Sequence, residues 1–152
     1  MTTQNAECGA LFPQLVARLF AVLLERLPAF LSSHGYTDIR LTHVLNVFLH
    51  LGKDGQRPAE LARRAGMTPQ SMSELIAHLE RSRYVERIPD PTDGRSKLVV
   101  YAPRGLTAAA QLSGWMEALD ADWSHLIGNA RTEESTRSSL LALAQGLEMT
   151  SR

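Results

Sequence analysis

Two short stretches of the chain carry polar side chains at spacings suited to binding a polyanion. In Thr68-Pro69-Gln70-Ser71-Met72-Ser73-Glu74, Thr68 is a good helix N-cap and Pro69 a good first helical residue. Gln70, Ser71, Ser73 and Glu74 then face outward from the first turns. Short polar groups at a helix N-terminus reach base edges or phosphates when the helix enters a major groove, and Arg81 ends the same helix with a cation. The second stretch, Asp90-Pro91-Thr92-Asp93-Gly94-Arg95-Ser96-Lys97, reads as a loop that sets Arg95 at its tip. A loop-tip arginine suits a narrow minor groove of strongly negative potential. Asp93 is placed to hold the guanidinium fork by charge-assisted hydrogen bonds, and Lys97 adds a second cation.

Other chemistry finds little footing. No phosphate loop, catalytic dyad or nucleophile elbow is present, and Ser71 and Ser73 have no plausible base, so no catalytic residue and no cofactor is expected. His43 and His50 stand seven apart and could share a helix face, but without an i, i+4 pair or a cysteine pair they read as core or surface histidines rather than metal ligands. The single cysteine, Cys8, excludes an intramolecular disulfide and a multi-cysteine zinc site, and fits a reducing cytosol.

The 152 residues suit one domain with its own core, and a content of 44% hydrophobic and 21% charged residues is that of a globular protein. Sixteen basic residues balance sixteen acidic ones, yet the charge is unevenly spread. Residues 1–56 carry four of each sign. Residues 57–104 hold nine basic side chains (Arg57, Arg63, Arg64, Arg81, Arg83, Arg87, Arg95, Lys97, Arg104) against six acidic ones, and residues 105–152 hold three against six. A basic middle between neutral and acidic flanks points toward a polyanion partner. The most apolar segment, residues 10–31, is broken by Arg18, Glu25 and Arg26 and is too short an apolar run to span a bilayer; it lacks the flanks of a signal peptide. The expectation is a soluble, cytoplasmic protein with no membrane partner.

The elements that must position these groups follow from periodicity. Pro13 starts a helix with Leu15, Leu19, Leu23, Leu27 and Phe30 at helical spacing, ending near Ser33, with Pro28 in its last turn or kinking it. A short buried helix spans Thr42–Leu51. Arg57-Pro58 opens a third, with Leu61 and Ala62 inward and Gly66 just past its end. The fourth begins at Thr68, with Met72, Leu75, Ile76 and Leu79 as its apolar stripe. The runs Tyr84–Ile88 and Lys97–Tyr101 are strands of a hairpin joined by the loop 89–96. A long helix follows Pro103, with Leu112, Met116, Leu119, Trp123, Leu126 and Ile127 on one seam, and a last helix covers about 132–148. Two helices joined by a tight turn and followed by a hairpin make a winged helix-turn-helix. The fold class is mainly α with a small β-hairpin: a winged lobe over 41–104 within a single domain, plus terminal helices.

Here the chain resembles the MarR family of bacterial transcription regulators. The resemblance rests on GMTPQSMSELIAHLERSRYVERIPDPTDGRSK, residues 66–97, against a pattern of recognition helix, apolar-basic strand and wing ending D-x-R-[SA]-K. The upstream HGYTDIRLTHVLNVFLHL fits the second helix of one branch. Where the family usually has Leu-Thr-x-x-Gly after the wing, this chain has Tyr101-Ala102-Pro103-Arg104-Gly105, so the threonine cap is missing and Pro103 takes up part of its work.

The resemblance implies a homodimer in which helices 10–33 and 105–150 intertwine and two lobes read a pseudo-palindromic operator in double-stranded DNA. The apolar surface of the N-terminal helix and of Trp115–Ile127 independently calls for a partner. It also implies a small aromatic effector, with Leu23, Phe30, Tyr36, His43, Val47 and Trp115 as candidate lining residues, although by type alone they are indistinguishable from core. One branch senses hydroperoxides through an N-terminal cysteine near tyrosines. Here the aromatic nearest Cys8 is Phe12, which has no hydroxyl, so an incidental thiol is the better reading. The reading reached is a dimeric repressor released by an effector; its rival is a winged-helix module that binds protein rather than DNA.

Overall fold

The computed structural model describes residues 11–150, so Cys8 lies outside the described residues. Pro13 sits in the first turn of α1 (Phe12–Ser33), which continues past Pro28 to its predicted end. Its two halves differ. Leu27, Phe30 and Leu31 are buried, whereas Leu11, Phe12, Leu15, Val16, Leu19 and Phe20 each expose more than a third of their surface. The segment expected as one helix from Thr42 is a single α-turn, α2 (Leu41–His43), that widens into a π-helical turn over Val44–Phe48. Val44, Val47, Phe48 and Leu51 bury its inner side.

α3 (Pro58–Arg64) ends in a Schellman closure: Met67 N–H donates to the Ala62 carbonyl (2.9 Å) and Gly66 takes φ +62°. α4 (Pro69–Arg81) follows after Thr68, whose Oγ accepts the Ser71 N–H at 3.2 Å. Leu61, Met72, Ile76 and Leu79 are fully buried between the two helices and the wing. α4 closes by the same motif, with Arg83 at φ +61° in the position that glycine fills after α3.

The hairpin differs from its expected shape. β1 (Val85–Asp90) and β2 (Asp93–Tyr101) run further than the sequence pattern indicates, leaving only Pro91 and Thr92 as the turn. Composition read the Pro, Asp and Gly residues as loop; the Asp90 carboxylate, accepting both the amide (2.8 Å) and the hydroxyl (2.7 Å) of Thr92, closes the tight turn instead. A third short edge is added where Gln56 pairs with Val99 through two backbone bonds of 2.9 and 2.8 Å.

α5 (Pro103–Ile127) begins against the base of the wing. A Cβ built on Gly105 would overlap the Tyr84 carbonyl oxygen, which also accepts the Ala102 N–H at 3.0 Å. Only glycine fits there. The chain divides into two compact units, Met1–Ala108 and Ala109–Arg152, so α1 groups with the winged lobe. In the second unit α6 (Ala130–Thr150) is tied to α5 by Arg137, which bonds Asp120 (2.7 Å) and, within α6, Glu133 (3.0 Å). Among the described residues no helix is long and apolar enough to cross a membrane.

Candidate nucleic-acid interface

The first turns of α4 are exposed, but their polar groups are not equally free. Thr68 spends its hydroxyl on the cap and donates to Ser71 Oγ at 2.9 Å. Ser73 donates to the Pro69 carbonyl at 2.8 Å, which leaves it lone pairs only. Among the described residues Gln70 has no hydrogen-bond partner, so its whole amide faces solvent. An unspent glutamine amide offers the donor-acceptor pair that matches the major-groove edge of adenine. Ser71, half-buried, still has a hydroxyl hydrogen to give. Pro69 only sets the backbone. Arg81 is exposed at the other end, about 16 Å along the axis from Gln70.

The wing places Arg95 in a way that sequence reasoning missed. From the Pro89↔Lys97 pair to the Asp90↔Asp93 pair, β1 advances one residue while β2 advances four. Gly94, Arg95 and Ser96 therefore bulge out of register, with Arg95 exposed in the middle. Arg95 is on the strand rather than at the loop tip. The expected fork between Asp93 and the Arg95 guanidinium is not formed. Asp93 accepts the Ser96 hydroxyl (2.7 Å) and the Arg95 backbone N–H (3.1 Å), bonds that hold its carboxyl below the usual range. A carboxylate two residues away reaches the near backbone more easily than a side chain pointing outward.

The ion pair that does organise the wing is Arg57–Asp90. Arg57 Nε donates to Asp90 Oδ2 at 2.7 Å, across 33 residues. Asp90 is nearly enclosed, its side chain 4% exposed, and the Thr92 bonds together with Arg57 bring its pKa down to about 2. The hairpin is thereby pinned to the start of α3. Of the nine cations in 57–104, Arg57, Arg63, Arg64, Arg87 and Arg104 are engaged by carboxylates. Among the described residues Arg81, Arg83, Arg95 and Lys97 are unpaired.

A polar cluster holds the base of the lobe. The Asp38 carboxylate accepts the Tyr84 hydroxyl (2.6 Å) and both Arg104 nitrogens (2.8 and 3.2 Å), while its carbonyl accepts His78 Nε2 at 2.9 Å. Burial works against the Asp38 charge, but Tyr84 and Arg104 outweigh it and keep the carboxyl below its ordinary value. Arg104 also lies over the Tyr84 ring, 4.2 Å from its centroid. Buried His43 stacks on His78 with centroids 4.6 Å apart and planes 8° from parallel, and its Nδ1 accepts the Arg40 N–H at 2.9 Å. Burial first, then the His78 and Arg40 charges, lowers its pKa to about 4.

Between the end of α1 and the start of α2 lies a cavity of about 380 Å³. Leu27, Pro28, Leu31 and Ser32 form one wall; Tyr36, Thr37, Ile39, Arg40 and Leu41 form the other. Of the six effector residues expected from the sequence, only Tyr36 lines it. Phe30, His43 and Val47 are buried in the lobe, Leu23 is half-buried further up α1, and Trp115 is half-buried on α5 in the second unit. Aromatic and apolar types point to core, and the cavity is walled by the end of α1 and a turn of mixed composition.

Comparison with known proteins decides the family. The MarR family model matches residues 34–96, from the turn after α1 through the wing bulge. The HTH-type transcriptional repressor Rv2887 of Mycobacterium tuberculosis is 33% identical over 107 residues, which are 70% of this chain and 75% of that protein. The chain belongs to the MarR family. Among solved structures, this MarR-family chain superimposes on Streptococcus pneumoniae FabT in complex with DNA with a TM-score of 0.77 at 17% identity, over 91% of this chain and 96% of that one. The M. tuberculosis MarR family protein Rv2887 in complex with salicylic acid gives 0.62 at 28% identity, over 88% and 96%.

Proposed function

We propose that this MarR-family transcriptional regulator binds double-stranded DNA as a homodimer, represses by occluding a promoter, and lets go when an aromatic acid enters the cavity between α1 and α2. The observation that carries the DNA reading is the joint placement of two unspent groups, the Gln70 amide on the first turn of α4 and the Arg95 guanidinium on the wing bulge. Gln70, Ser71 and the acceptor of Ser73 meet base edges in the major groove. Arg95 enters the adjoining minor groove, and Lys97 and Arg81 meet phosphates. Thr68 and Pro69 set the helix start, and Asp93 sets the bulge.

The apolar half of α1, with Leu141 and Leu147 of α6 each 59% exposed, supports a second copy as partner. Two lobes related by a two-fold axis read half-sites about one helical turn, ~34 Å, apart in a pseudo-palindrome. The cavity pairs apolar walls with Arg40, a combination suited to a small aromatic carboxylate, and a relative is named in complex with salicylic acid. A repressor of this kind works in the cytoplasm, where its DNA is. The test is fluorescence anisotropy with DNA from upstream of the protein's own gene, with and without salicylate. Salt-sensitive binding by a dimer, weakened by salicylate, is expected. A monomer, or binding that does not depend on salt, breaks the DNA reading, and binding that salicylate leaves unchanged breaks the effector reading.

A further inference from the structure

The segment Tyr36–Leu41 has two sides. Tyr36, Thr37, Ile39, Arg40 and Leu41 line the cavity. Asp38 is the one residue of the segment that does not; it turns the other way and holds three elements at once. Its carbonyl takes His78 in the last turn of α4, and its carboxylate takes Tyr84 at the root of β1 and Arg104 in the first turn of α5. A second tie runs in parallel: the Arg40 N–H rests on His43, whose ring stacks on His78.

We infer that Tyr36–Leu41 is the coupling strip of the lobe and Asp38 its positioning residue, through which occupation of the cavity shifts the recognition helix and the wing together. This rests on the effector reading of that cavity. An occupant wedged against α1 presses on five of the six residues of the strip. The strip yields more easily than the α1 wall because it is a turn. When it moves, the bonds from Asp38 to His78, Tyr84 and Arg104 must stretch or carry α4 and the wing with them. A ligand shifts such an equilibrium only by its differential affinity for the two arrangements, and the effect is reciprocal. DNA that fixes α4 and the wing therefore disfavours the occupant by the same factor.

The test fills the cavity without depending on any one ligand. Ser32→Trp builds an indole into it from the α1 wall, and Asp38→Asn replaces the charge that grips Arg104 while keeping the side chain's size. DNA affinity is measured for the full-length protein, for each variant and for the double variant, with melting temperatures alongside. Ser32→Trp is expected to weaken DNA binding at least ~10-fold in the native background and less than ~3-fold when Asp38→Asn is present. Tyr84→Phe, which removes a single hydroxyl, serves as the second uncoupling variant should Asp38→Asn not fold, and is expected to reduce the effect of the indole in the same direction. An equal loss in both backgrounds, or no loss in either, overturns the inference. A parallel salicylate titration of the unmodified protein, followed by tryptophan fluorescence, reads the effector proposal separately: coupling by the indole without salicylate binding sinks that ligand class and leaves the strip standing.

Discussion

α4 and the wing both present free polar groups to solvent, yet they are held in place by different kinds of interaction. The start of the recognition helix is set by its own neighbours in sequence, Gly66 in a left-handed turn, the Thr68 cap and Pro69, and its buried stripe of Met72, Ile76 and Leu79 then packs into the lobe. The wing's own contacts, the strand pairing, the two-residue turn and the Asp93 bonds of the bulge, shape the hairpin but do not place it in the lobe. It is fixed by partners far away, Arg57 on Asp90, Gln56 on Val99, and the Tyr84 root on Asp38 and Gly105. A reader fixed locally keeps its geometry when the rest of the lobe loosens. A reader whose position depends on remote partners reports on the whole lobe.

The largest expected effect attacks the wing's root. Gly105→Ala puts a methyl into the Tyr84 carbonyl, a backbone contact that cannot rotate away. It should destabilise by about 3 kcal/mol and lower the melting temperature by roughly 10 °C. Calorimetry reads the loss, and amide exchange should show β1 and β2 losing protection before α4. Equal loss in both would mean that the helix depends on the wing after all.

Acid should act on the other side of the comparison. The His43 pKa is near 4 in the folded chain against 6.5 when exposed, because burial and the neighbouring charges of His78 and Arg40 outweigh Asp38. The folded state therefore resists a proton that the unfolded chain accepts. Stability is full above pH 6.5, falls as the pH drops toward 4, and levels off below, for at most about 3 kcal/mol. A proton on Nδ1 also collides with the Arg40 N–H it now accepts. His43→Gln, which keeps an acceptor, should flatten the curve between pH 6.5 and 4. A decline of unchanged slope in that variant would assign the effect elsewhere.

The same division explains what could be read from the chain alone. Caps, the glycine closure and the apolar stripe of α4 lie within a few residues of one another, so the sequence shows them directly. Asp38–Arg104 spans 66 residues, Arg57–Asp90 spans 33, and nothing in one sequence says that these charges meet. The wing loop is shorter than its composition suggests for a related reason: Pro, Asp and Gly advertise a turn but not that Asp90 and Asp93 close it as a pair. Phe30 and His43, expected along a cavity by their type, are buried in the core and do not line it.

Two substitutions compare the readers themselves. Arg95→Ala, at an exposed and unpaired position, should leave the folding stability within about 0.5 kcal/mol of native while weakening DNA binding at least ~10-fold, on cognate and random sequence alike. Two such contacts per dimer should make the salt slope shallower by up to ~2. Gln70→Ala should cost about 1–3 kcal/mol on the cognate site and far less on random DNA, because it removes a base contact and no charge. If the pattern is reversed, with Gln70 uniform and Arg95 selective, the roles of helix and wing exchange.

The smallest effect belongs to Asp93, and its sign is informative. Were the carboxylate orienting the Arg95 guanidinium, its loss would reproduce part of Arg95→Ala. The structure instead has it accepting the Ser96 hydroxyl and the Arg95 backbone N–H, so it shapes the bulge and leaves the guanidinium free to turn. Asp93→Asn keeps one acceptor oxygen, for the Arg95 N–H, offers an NH2 toward which the Ser96 hydroxyl can turn its lone pair, and deletes a negative charge beside the DNA. Binding at low salt should tighten by up to about 3-fold, with little change at high salt where the charge is screened. Asp93→Ala loses the bonds as well as the charge, so it should fall between Asp93→Asn and the native protein. A clear weakening by Asp93→Asn, with no change in folding, would restore an orienting role and place the guanidinium back on the aspartate once DNA arrives.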